Sequence, residues 1–179
     1  MPPLQRKLLL ILLLIPFFSM GQYKEGTVAW SPDRKLSWKD YEAQPDPNSD
    51  AAASTTTYLG IEYNFTSKGF GYSIECNFSR NKSWGLHKTD YILEHEQGHF
   101  DIAEYFARKL NMKMKSYLFN RATYEKDLKK IYQDVVDEKE DLQDQYDLET
   151  NHSINEVKQA EWLKKIEKML EELKDYSGY

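Results

Sequence analysis

Residues 92–104 read ILEHEQGHFDIAE, and within them His95-Glu96-Gln97-Gly98-His99 sets two imidazoles four positions apart with a carboxylate after the first. A helix turns about 100° per residue, so His95 and His99 lie one turn apart and offset by only about 40°. Both rings can therefore face a single ion. Glu96 falls on the edge of the same face, where a carboxylate can take the proton of a zinc-bound water and pass it to a leaving amine. Ala103, Phe106 and Leu110 extend the stripe that the histidines begin, so this face points into the protein. Gly98 weakens a helix by about 1 kcal/mol relative to alanine and suggests close approach by a neighbour, with neutral drift as the alternative.

The surrounding chain divides near residue 86. The stretches TTTYLGIEYNF (55–65) and FGYSIECNF (70–78) alternate with period two, Leu59, Ile61, Tyr63 and Phe65 on one face of the first and Phe70, Tyr72, Ile74, Cys76 and Phe78 on one face of the second. Such alternation in aromatic and β-branched residues predicts antiparallel strands, joined by a tight turn at Ser67-Lys68-Gly69. A short strand at TVAW (27–30) precedes them. Thr89-Asp90 caps a helix to about Leu118. A highly charged second helix runs from about Tyr124 to Tyr146, a polar loop YDLETNHSIN follows, and a third helix covers about Asn155 to Lys174. The second helix reads as a solvated surface helix laced with opposite charges. One α+β domain results: a small antiparallel sheet, then a long helix bearing the HExxH motif, then two further helices.

The N-terminus reads as an export signal. Arg6 and Lys7 precede the apolar run Leu8 to Phe18, with Ser19 and Gly21 before a cleavage point at Gln22. The apolar run is shorter than the roughly 20 residues needed to span a bilayer. Residues 1–21 are thus expected to be removed, leaving a single domain over 22–179, strand-rich over 22–86 and helical over 87–179. The destination is periplasmic or extracellular, with no stable membrane anchor. Without Arg6 and Lys7, the chain's 24 basic residues fall to 22 against 29 acidic ones, a net charge of −7 that argues against nucleic-acid partners. Cys76 is the only cysteine, so no intramolecular disulfide can brace the domain. The sequons at Asn64, Asn77, Asn81 and Asn151 matter only in a glycosylating host.

A catalytic zinc wants a third protein ligand. Glu104 projects about 140° away from His99, and Asp101 also points off the face, towards a supporting role. His152, in a loop where its side chain can be aimed freely, is the favoured third ligand. His87, Glu149 and Glu156 are the alternatives.

Three blocks resemble domain-of-unknown-function family 922, exported bacterial proteins thought to include zinc-dependent peptidases. They are LSWKDYEAQPDPNSDAAASTTT (36–57), SWGLHKTDYILEHEQGHFDIAEYFARKL (83–110) and YDLETNHSINEVKQAEW (146–162). The resemblance implies a zincin-like fold, His95 and His99 as metal ligands, and Glu96 as general base. It also draws attention to His152, although Ser153 stands where such sequences usually have glycine. Tyr146 is expected to supply an oxyanion-stabilising hydroxyl, and Gln159 and Trp162 to pack or support the loop rather than touch substrate. The expected activity is hydrolysis of peptide bonds in a peptide or protein substrate, through a zinc-bound water activated by Glu96. Two alternatives remain: a zinc-stabilised binding module that hydrolyses nothing, for which Glu96 would be superfluous, and a helical interaction protein without metal.

Overall fold

The computed structural model describes residues 26–66 and 69–179. The expected signal segment and the Ser67-Lys68 turn lie outside the described residues. Strands β1 (Thr27–Ala29), β3 (Thr57–Thr66) and β4 (Gly69–Ser79) form an antiparallel sheet in the order β1-β4-β3. The two alternating stretches pair in the register Leu59↔Cys76, Ile61↔Ile74 and Tyr63↔Tyr72, which puts their apolar sets on one face. A separate ribbon pairs β2 (Ala53–Ser54) with β5 (Trp84–Gly85), a feature too short for periodicity to reveal. No helix among the described residues is long and apolar enough to cross a membrane.

Three helices follow: α1 (Asp90–Ser116), α2 (Tyr124–Thr150) and α3 (Glu156–Glu172). The Thr89 hydroxyl accepts from the Ile92 amide at 3.2 Å, closing the N-terminus of α1 as its sequence predicts. Helix α1 is central: the β3–β4 hairpin lies on one side of it and α2 and α3 on the others. Phe100, Ile102, Ala103, Phe106, Ala107 and Leu110 are buried on it, packed with Phe78, Val135 and Ile166. Burying each large apolar side chain contributes roughly 1.5–3 kcal/mol, so this helix anchors the core.

Polar side chains fix what the core leaves free. Trp30 Nε1 and Gln97 Nε2 each donate to Asp101 Oδ1 at 2.7 Å, and the Leu36 amide donates to Gln97 Oε1 at 2.8 Å. The N-terminal segment is thereby laced to the outer side of α1. Asp101 therefore supports that segment, away from the histidine face. Glu104 turns the other way, as the helical angle requires: it is buried against Arg108 and accepts from the Tyr179 hydroxyl.

Candidate metal centre

Helix α1 points His95 and His99 towards α2, their ring centroids 4.9 Å apart and their planes perpendicular. Both Nε2 atoms converge on one oxygen of α2: each is 3.1 Å from Asp147 Oδ1. Donor atoms of His95, His99 and Asp147 all lie within 4.8 Å of one another. A zinc ion about 2.0–2.1 Å from each of its tetrahedral donors holds them roughly 3.4 Å apart, close to the 3.1 Å between each imidazole nitrogen and Asp147 Oδ1.

Hydrogen-bond accounting tests the fit further. His99 Nδ1 lies 2.5 Å from Gln143 Oε1, and Gln143 Nε2 donates back to the His99 carbonyl at 2.9 Å. His99 thus faces an acceptor at each ring nitrogen. A neutral imidazole carries only one proton, so either an imidazolium or a cation at Nε2 is required. Burial pulls the His99 pKa down, but the Asp147 carboxylate and then Glu96 outweigh it and lift it to about 8. Burial likewise pushes the Asp147 carboxyl up, and the two imidazoles hold it well below the usual carboxylate range. With Gln143 taking the Nδ1 proton, the Nε2 lone pair is left for a metal.

Glu96 is 4 % exposed and its Oε2 has no hydrogen-bond partner among the described residues. It lines a cavity of about 440 Å³ together with both histidines, Gln143 and Asp147. The small-residue stretch 51–57, which carries β2, lines it too. A buried carboxylate with an unmet oxygen, lining the same cavity as the donor set, can serve as a proton-transfer group, and a purely structural tie has no use for it.

His152 lies outside the three-donor group. Its side chain is 68 % exposed and its Nδ1 is 3.6 Å from Asp147 Oδ1, at the rim of the same cavity. The turn carrying it is unusual: Asn151, His152 and Ser153 have φ of 49°, 50° and 74°. Glu149 instead accepts from Trp162 Nε1 at 2.9 Å, while Glu156 opens α3 and His87 is exposed. Trp162 is buried and braces the end of α2 through Glu149, whereas Gln159 Nε2 donates to the Tyr91 carbonyl at 3.1 Å and so ties α3 to α1.

Two expectations need correcting. Tyr146 is not an oxyanion donor: it is fully buried, and its hydroxyl donates to the His95 carbonyl at 3.2 Å. Its ring stacks on His95 with centroids 4.6 Å apart, which orients the imidazole. Nor is α2 only a solvated helix. It runs four residues past Tyr146, and Lys139, Gln143 and Asp147, spaced at four, bring one face of it to the cavity. Asp147 went unrecognised because it fell in the expected loop; the four-residue spacing was the signal that would have found it.

Residues 24–153 match the family described as bacterial protein of unknown function (DUF922). The chain belongs to this family. The match takes in the whole donor set and ends just past His152 of the DUF922 chain. No curated protein and no solved structure gives a significant match.

Proposed function

We propose that this DUF922 protein is an exported, zinc-dependent metallopeptidase of zincin-like architecture, with His95, His99 and Asp147 holding the ion. The observation that carries the reading is the convergence of two Nε2 atoms on one Asp147 oxygen beside the unpartnered, buried Oε2 of Glu96. Zinc, when bound, supplies a Lewis acid that acidifies water and polarises a carbonyl. Glu96 takes the proton from the attacking water at its carboxylate and returns it to the amine nitrogen that leaves. Tyr146 holds His95, and Gln143 fixes the tautomer of His99. His152 at the rim contacts whatever occupies the cavity mouth. The extended, small-residue wall at 51–57 leaves room for a peptide to lie alongside. Export rests on Arg6, Lys7 and the apolar run that follows them.

A non-catalytic zinc tie is the competing reading, favoured by the absence of any possible disulfide. Glu96 separates the two. Residues 22–179 should bind about one zinc per chain, lost in His99→Ala and Asp147→Ala and kept in His152→Ala and Glu96→Gln. On the peptidase reading, Glu96→Gln abolishes cleavage in a peptide-library assay while zinc stays bound. Zinc binding without any cleavage by the unsubstituted chain leaves the structural tie. No zinc uptake removes both readings.

A further inference from the structure

We propose that Lys139 recognises a carboxylate of the substrate, making the site selective for peptides with an acidic side chain or a free C-terminus at a fixed distance from the attacked bond. The nature of the ligand rests on the peptidase reading; the recognition of a carboxylate rests on Lys139 itself. Lys139 is 6 % exposed and, among the described residues, is the one lysine or arginine lining the cavity of the histidine pair. It lies eight residues before Asp147 on the same face of α2, about 12 Å along the helix axis. The cavity therefore has the candidate metal donors at one part and a buried cation at another.

A buried ammonium needs a counter-charge. The other strongly buried lysine or arginine among the described residues finds its counter-charge inside the fold: Arg108 pairs with buried Glu104. Lys139 does not. Its one ion-pair partner among the described residues is Glu140 Oε1 at 2.7 Å, and the Glu140 side chain is 60 % exposed. Adjacent residues on a helix point about 100° apart, so this contact is not one that helix geometry provides. Glu140 also lines the cavity. Its exposed carboxylate gives a weak, screened pair that an incoming carboxylate can displace. Glu140 thus occupies the position of the substrate's own acid.

The test uses zinc-loaded residues 22–179 carrying Glu96→Gln, titrated by fluorescence anisotropy with labelled Ala/Gly octapeptides. One set carries a single Glu at each position in turn, a second carries Gln instead, and each is made with a free and an amidated C-terminus. One carboxylate is expected to tighten binding about tenfold over its neutral counterpart, as a charge-assisted hydrogen bond does. A positional Glu effect identifies a side-chain carboxylate, and an effect of amidation identifies the terminus. Lys139→Met should erase the preference, Lys139→Arg should keep it, and Glu140→Gln should enlarge it. A preference that survives Lys139→Met, or that never appears, overturns the proposal. If Lys139→Met fails to fold, an unchanged preference in Glu140→Gln overturns it instead. Cleavage of the same peptides by the unsubstituted chain separates the two readings: cleavage without carboxylate preference sinks this inference alone, and preference without cleavage sinks the peptidase alone.

Discussion

Gln143 and Ser153 show how single side chains set this site without belonging to the donor set. Gln143 uses both ends of its amide on His99, accepting from Nδ1 and donating to the carbonyl, so ring and backbone are locked together. Replacing such a partner typically lowers metal affinity by about 10–100-fold. Gln143→Ala should therefore raise the zinc dissociation constant by that factor in competition with a chromophoric chelator, with little change in helix content. Ser153 has a left-handed φ of 74°, which strains a side-chain-bearing residue and suits glycine. Ser153→Gly should relieve that strain and stabilise the metal-free protein by about 1 kcal/mol in urea unfolding. The HExxH pair and Glu96 were legible because helical spacing alone brings them together. Asp147 was not, because its role depends on where α2 ends, and helix ends shift by a turn without altering periodicity.

At the scale of elements, the site depends on how closely α1 and α2 approach. Gly98 makes that approach: a Cβ there would sit 2.5 Å from the Tyr146 hydroxyl oxygen and 2.9 Å from its ring carbon Cζ. An aromatic ring stacked on His95 and buried all round has no room to retreat. Gly98→Ala should thus destabilise by about 1–3 kcal/mol through overpacking, although alanine is the better helix former. Thermal unfolding checks this, and adding Tyr146→Phe should recover part of the loss by removing the nearest atom. A second junction holds the N-terminal segment. Asp40, 2 % exposed, accepts from the Ser37 amide and hydroxyl at 2.9 Å and pairs with Arg34 and Arg80. Burial pushes its carboxyl up, but the Ser37 hydrogen bonds and then Arg34 outweigh it and hold it below the ordinary value. A depressed pKa contributes stability above the unfolded value near 3.9 and loses it as pH falls through the folded value. Urea midpoints of Asp40→Asn should therefore lie below those of the unsubstituted chain at pH 7 and converge with them below pH 4.

For the whole molecule, the strand pair, its faces and the central helix were readable because period-two and helical patterns are set by burial on one side. The β2–β5 ribbon was not, since it joins segments about thirty residues apart, and the left-handed turn at 151–153 was not, since it depends on where α2 ends. That turn and the end of α2 form one wall of the candidate metal site, and α1 forms the other. With Cys76 alone, no intramolecular disulfide ties those walls, and an ion held as proposed would tie them. Ligand that binds only the folded state stabilises it by RT ln(1 + [L]/Kd), about 4 kcal/mol at a thousandfold excess over Kd. In a domain of this size each kcal/mol moves the melting temperature by about 2–4 °C. Stripping zinc with a chelator should lower the melting temperature by roughly 8–16 °C, and restoring zinc should reverse the shift. Asp147→Ala should melt at one temperature whether zinc is present or chelated, because the ion then has lost its contact with α2. A chelator-insensitive melt in the unsubstituted chain would mean that α1 and α2 are held by packing around Tyr146 alone.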